Sequence, residues 1–154
     1  MKPHVFWFYG LSGAGKTTLA DALAFGLRGK TNGVLRLDGD QLRSGLSFEL
    51  GFQSEDRREN IRRAAEVAKI GLDSSLIVVA SFITPEADHR VLVRNIVQSE
   101  NLTLIHVPTP ATVCYERGGY TGNIEGPHDF PTISMESLGE ADILAVTKLI
   151  DICK

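Results

Sequence analysis

Gly10-Leu11-Ser12-Gly13-Ala14-Gly15-Lys16-Thr17-Thr18 sets a lysine and two hydroxyls directly after a run of small residues. Glycines let successive backbone N–H groups turn to one side and form a concave anion site. A helix starting near Lys16 would add its positive dipole end. With this spacing, Gly10, Ser12, Gly13, Ala14, Gly15 and Thr18 would surround nucleotide phosphates. Lys16 would reach the terminal phosphates, and the Thr17 hydroxyl would ligate Mg2+. A chance glycine turn could use the same residue types. Here the motif has the context it needs, because apolar Val5–Tyr9 precedes it and amphipathic Lys16–Leu27 follows it. The chemistry implied is phosphoryl transfer from ATP. The loop alone does not reveal the acceptor, since motor ATPases, GTPases and small-molecule kinases share it. The absence of an Asn-Lys-x-Asp segment, which would read guanine, favours a kinase of a small acceptor.

A second group of residues suits that acceptor. Leu35-Arg36-Leu37-Asp38-Gly39-Asp40 ends an apolar run with two carboxylates, and Arg43 follows three residues later. Ligands of open parallel sheets bind at the carboxyl ends of strands. Asp38 and Asp40 would therefore lie near Lys16 and Thr17. A carboxylate there could organise Mg2+ through water or accept the proton of an attacking hydroxyl. Arg43, Arg57 and Asn60 suit an anionic acceptor, because the guanidinium fork matches phosphate and sulfate geometry. Phe52, in the Leu50-Gly51-Phe52 turn, suits a stacked base. Each residue alone has an ordinary structural reading: an Asp-Gly turn, a solvated basic helix face, a core phenylalanine. It is their combination that points to a site.

These residues need a scaffold, and the chain has the pattern for one. Strand-length apolar runs occur at Val5–Tyr9, Val34–Leu37, Leu76–Ala80 and Leu102–Val107, with a weaker one at Thr132–Ser134. Helical patterns lie between them at Lys16–Leu27, Glu55–Leu72, Glu86–Gln98 and Pro110–Glu116, and a last one at Ser137–Ile152 begins with Ser137 as a candidate cap. This alternation predicts an α/β fold with a mostly parallel sheet covered on both faces. The 154 residues fit one domain, 1–154. The turn-rich stretch from Gly118 to Pro131 reads as a functional or mobile loop. Net charge is only −3 and there is no basic stripe, which argues against a nucleic-acid partner. No apolar stretch is long enough to span a bilayer. With two cysteines, Cys114 and Cys153, no disulfide framework is expected. A cytoplasmic enzyme is the default expectation. His4, His89, His106 and His128 lack metal-ligand spacing and read as structural or exposed. Trp7 and Cys114 read as packed residues, Lys69 and Lys148 as solvated ones.

Taken together, the segments resemble adenylylsulfate kinases (APS kinases), which move the ATP γ-phosphate to the 3′-hydroxyl of adenosine 5′-phosphosulfate. The matching segments are the glycine loop, Leu37-Asp38-Gly39-Asp40 with Arg43, Leu50-Gly51-Phe52, Asp56-Arg57-Arg58-Glu59-Asn60-Ile61-Arg62-Arg63, Ser81-Phe82-Ile83-Thr84-Pro85 and Val113-Cys114-Tyr115-Glu116-Arg117. The resemblance implies a P-loop NTPase fold, three-layer α/β/α, with a five-stranded parallel sheet in the order 2-3-1-4-5. It implies ATP with Mg2+. It also implies that Arg43, Arg57 and Asn60 hold the phosphosulfate and ribose, that Phe52 stacks on the acceptor adenine and Asp38 assists the hydroxyl, and that Ile83 and Thr84 line the pocket, where the family usually has serine at 84. Dimers are common in the family, which makes a homodimer one option, although no interface is legible.

After Arg117 the pattern departs. The family normally continues through a basic helical lid, and most of it is missing here. A lid-like loop at about 117–131 remains, in which Tyr120-Thr121-Gly122 resembles the family's Phe-Thr-Gly element and Tyr120 replaces its aromatic. Arg117 is expected to supply the lid-side cation. The shortened lid keeps two other readings open: a kinase of the same fold with another nucleotide-like acceptor, such as a modified nucleotide or a nucleoside diphosphoramidate, and a non-catalytic ATP-binding module.

Overall fold

The computed structural model describes residues 1–119, 122–126, 132–135, 146 and 148–154. Five strands form one parallel sheet in the order β2-β3-β1-β4-β5: β1 (His4–Tyr9), β2 (Val34–Asp38), β3 (Ile77–Phe82), β4 (Leu102–His106) and β5 (Thr132–Ser134). The expected sheet and strand order are both found. The helices are α1 (Lys16–Leu27), α2 (Gly39–Arg43), α3 (Ser54–Asp73), α4 (Ala87–Val97) and α5 (Ala111–Glu116), and most lie within a residue or two of the expected bounds.

β1 is the central strand, and all six of its residues are buried. It is apolar on both faces because both are covered. Phe6 and Phe8 pack with Leu19, Leu23 and Leu27 of α1, whereas Val5, Trp7 and Tyr9 pack with Ala64, Ala65 and Ala68 of α3 and Val93 and Val97 of α4. The result is a helix–sheet–helix sandwich with its chemistry at the carboxyl ends of the strands. Parallel pairing aligns those ends: Tyr9 lies beside Phe82 on one side and His106 on the other, and Asp38 lies beside Ser81.

One element was not expected. The stretch after Asp38, which reads as an Asp-Gly turn, is a five-residue helix, α2. Asp38 is its cap: the carboxylate accepts from the Asp40 amide at 3.0 Å. Glycine and aspartate are poor helix formers, so local propensity hides the helix and the cap creates it. The expected helix at Ser137–Ile152 and its cap Ser137 fall largely outside the described residues, and a 3-10 turn, Ile150–Cys153, is described at its end. Among the described residues, no helix is long and apolar enough to cross a membrane.

Candidate active site

The phosphate loop runs from Gly10 to Lys16 between β1 and α1. Three of its carbonyls accept side-chain hydrogen bonds. Leu11 O accepts from Lys16 Nζ at 2.7 Å, Gly13 O from Arg117 Nη1 at 3.3 Å and Ala14 O from Thr109 Oγ1 at 2.8 Å. With the Ala14 amide donating to Leu11 O at 3.1 Å and the Gly10 amide to Ile83 O at 3.2 Å, these bonds fix the backbone of the loop. α5 presses against the loop from the other side. A Cβ on Gly13, whose φ is 82°, would lie 2.8 Å from Cys114 O, and one on Gly119 would lie 2.2 Å from Ser12 O. No side chain fits in either place. Burial lowers the Lys16 ammonium to about 8, against the opposing pull of Cys114, Asp38 and Asp40.

Asp38 forms the seam between this loop and a neighbouring cavity. Its Oδ2 accepts from Thr17 Oγ1 at 3.1 Å, Ser81 Oγ at 2.7 Å and Arg36 Nη2 at 3.4 Å, while Oδ1 takes the Asp40 amide. Burial pushes the carboxyl upward, but the bonds from Ser81, Thr17 and the Asp40 amide, with the Arg36 charge, outweigh it and hold the group below its usual range. The donors here fit a hard cation such as Mg2+, which takes one or two protein oxygens and fills the rest of its shell with water and phosphate. The Thr17 hydroxyl and the Asp38 carboxylate are two such oxygens. Among the described residues, no group of three or more His, Cys, Asp and Glu side chains is placed to hold a metal ion.

The cavity has a volume of about 310 Å³ and is lined by Gly39, Asp40, Arg43, Phe52, Arg57, Asn60, Ile61, Phe82, Ile83, Thr84 and Pro85. These come from the α2 end, the following turn, the first turns of α3 and the β3–α4 connection, so segments far apart in sequence meet at one place. Every residue expected to bind an acceptor lines this cavity, with two exceptions. Asp38 stands at its edge, and Tyr120 falls outside the described residues. The two arginines also hold the turn that carries Phe52. Arg43 Nη1 donates to Gly51 O at 2.8 Å with its guanidinium 4.4 Å from the Phe52 ring centre, and Arg57 Nε donates to Phe52 O at 2.8 Å. Phe52 is nevertheless 64% exposed. Asn60 is only 4% exposed, and its Oδ1 has no hydrogen-bond partner. A buried orphan acceptor costs free energy, and this one lines a cavity.

Arg62 and Arg63 of α3 do not line the cavity. Arg62 and Arg63 bind Glu59, and Arg63 also pairs with Glu49. Two arginines that the sequence reading leaves out do touch the site. Arg36 bridges Asp21 at 2.8 Å and Ser81 Oγ at 2.8 Å while facing Asp38. Arg90 is buried on α4. Its spacing carried a signal, because Arg90, Val93 and Val97 share one stripe of the helix. Trp7 is core, as expected, stacked on Phe82 with centroids 4.8 Å apart, yet its Nε1 also donates to Thr84 Oγ1 at 2.9 Å.

Comparison with known proteins bears on this arrangement. The Adenylylsulphate kinase family model matches residues 2–122. The adenylyl-sulfate kinase of Shewanella amazonensis is 50% identical over 113 residues, which is 73% of this chain and 57% of that protein. The adenylyl-sulfate kinase of Pseudomonas aeruginosa is 39% identical over 97% of this chain and 84% of its own length. Among solved structures, the Mycobacterium tuberculosis APS kinase in complex with AMPPNP and APS superposes with a TM-score of 0.81 at 30% identity, over 98% of this chain and 97% of that one. Over the match with the Shewanella protein, the chain thus spans somewhat more than half of its relative's length.

Proposed function

The chain belongs to the adenylylsulphate kinase family, and from that premise we propose that it transfers the γ-phosphate of ATP to the 3′-hydroxyl of adenosine 5′-phosphosulfate, giving 3′-phosphoadenosine 5′-phosphosulfate. We take residues 1–154 as one kinase domain. The observation that carries the reading is the position of Asp38, hydrogen-bonded to Thr17 of the phosphate loop on one side and to the Asp40 amide at the cavity wall on the other. A phosphate donor and a nucleotide acceptor held in those two places would meet at that carboxylate.

Roles follow from the chemistry of each group. The loop amides and Lys16 bind the triphosphate. Thr17 and Asp38 would hold Mg2+, which when bound neutralises charge on the phosphate oxygens. Arg43 and Arg57 receive the phosphosulfate, Asn60 Oδ1 accepts a hydrogen bond from the nucleotide, and Phe52 offers its exposed ring to the adenine. Asp38, held ionised, orients the 3′-hydroxyl as a hydrogen-bond acceptor. Arg117, already beside Gly13, steadies the transferring group. The transition state of such a transfer is loose, so positioning and charge neutralisation supply most of the acceleration.

The test is ADP release from Mg-ATP with and without adenosine 5′-phosphosulfate. Acceptor-dependent release supports the assignment. Equal release in both, from protein that binds ATP, would remove it.

A further inference from the structure

Arg90 is 1% exposed. A buried guanidinium is tolerated only when its N–H groups are satisfied, and here backbone carbonyls from two distant segments satisfy them. Nη1 donates to Thr84 O at 3.1 Å and Pro85 O at 3.0 Å, and Nη2 donates to Glu125 O at 2.7 Å and Gly126 O at 2.8 Å. The guanidinium also sits 5.0 Å from the centre of the Tyr9 ring, which in turn stacks on His106. Two more bonds join the same segments without Arg90: the Glu125 amide to Pro85 O at 2.8 Å, and the Ala87 amide to the Glu125 carboxylate at 2.8 Å.

Thr84 is the second half of the observation. Its φ is 42°, a region in which a β-branched residue is strained. Such a conformation persists only where its surroundings over-determine it. Thr84 is held at both ends, its hydroxyl by Trp7 Nε1 and its carbonyl by Arg90. Both Thr84 and Pro85 line the cavity. The loop between Gly118 and Pro131, which the sequence marks as functional or mobile, is therefore fastened at residues 125–126 to the cavity wall.

We propose that Arg90 is a positioning residue for the acceptor: it welds Glu125–Gly126 to the strained Thr84–Pro85 wall, so that the remnant of the lid serves as a fixed margin of the acceptor site. The proposal rests on reading the cavity as that site. In a full-length lid, closure would order this margin when substrate binds. Here Arg90, together with the Glu125 bonds to Pro85 and Ala87, orders it in advance, which lowers the ordering cost of acceptor binding.

The experiment uses Arg90→Met, which keeps the apolar stem, and Arg90→Lys, which can reach only some of the four carbonyls. Amide hydrogen exchange reports the weld, and calorimetry gives separate affinities for ATP and adenosine 5′-phosphosulfate. In Arg90→Met, exchange at residues 122–126 should quicken by about tenfold or more while the amides of β1 and β3 stay protected. The acceptor Kd should rise about tenfold, with the ATP Kd within about twofold. Arg90→Lys should fall between. Unchanged exchange at Glu125, or equal losses for both ligands, overturns the proposal. If Arg90→Met does not fold, Arg90→Lys decides by the same criteria, and Glu125→Ala, at an exposed position, should loosen the same segment by a smaller factor. If the wild-type protein binds ATP but no adenosine 5′-phosphosulfate, the acceptor reading fails, and exchange alone still decides whether Arg90 makes the weld.

Discussion

The phosphate loop is built of backbone and is braced by side chains: the carbonyls of Leu11, Gly13 and Ala14 each have a donor. The cavity proposed to take the acceptor is lined mainly by side chains, and not all of their polar atoms have partners. Asn60 keeps a buried acceptor without a partner, and the Phe52 ring stands mostly exposed. The difference has a chemical reason. Any nucleotide triphosphate presents the same oxygens, so fixed amides suffice. An acceptor has to be told apart from its analogues, and unpaired polar atoms in a shaped cavity do that, because the wrong ligand leaves them unpaired. Changes in the loop should therefore act on ATP, and changes in the cavity on the acceptor alone.

The largest effect should come from the loop. Lys16→Ala removes the ammonium built into it and should lower kcat for ADP formation by about 100- to 1000-fold, measured in steady state with saturating acceptor. Arg57→Ala should come next and act on the other half. Losing hydrogen bonds to a charged group costs about 1.5–3 kcal/mol, so the acceptor KM should rise roughly 10- to 100-fold with the ATP KM unchanged. An equal rise in both would erase the division between the two halves.

Much of this division was legible in the residues. The loop was readable because its glycines are contiguous and its flanking strand and helix are regular. Arg43, Phe52, Arg57 and Asn60 were readable as a set, Ile83 and Thr84 only through the family resemblance, and the fold brings all six to one cavity. What stayed hidden depends on contacts that cross the chain. α2 exists because the Asp38 side chain caps it, against the propensity of Gly39 and Asp40. Arg36 lies in an apolar strand, yet its partners are Asp21, 15 residues before it, and Ser81, 45 residues after it. Arg90 looks like one polar residue among several on an amphipathic helix, and the carbonyls it joins, Thr84–Pro85 and Glu125–Gly126, come together only in the fold.

Smaller effects sharpen the comparison. Gly119→Ala would place a Cβ 2.2 Å from Ser12 O. Overpacking of this kind costs about 1–3 kcal/mol, and because it deforms the loop it should weaken ATP binding and leave acceptor affinity alone, as calorimetry and thermal melts can show. The smallest effect on either half should come from His4, at the opposite end of β1. Burial lowers its imidazole from 6.5 to about 4. Between those values the unfolded chain takes up a proton that the folded chain refuses. The contribution to stability is thus full above about pH 6.5 and falls as the pH drops towards 4, by at most about 3 kcal/mol. Thermal melts across that window should show a steeper loss in the wild type than in His4→Gln, with ligand affinities at neutral pH the same in both.

The most direct test of the whole assignment is the mass of the nucleotide formed when the protein is incubated with Mg-ATP and adenosine 5′-phosphosulfate. The expected product is the acceptor heavier by one phosphoryl group at its 3′ position, formed in step with ADP. ADP and inorganic phosphate accumulating beside an unchanged acceptor would contradict it.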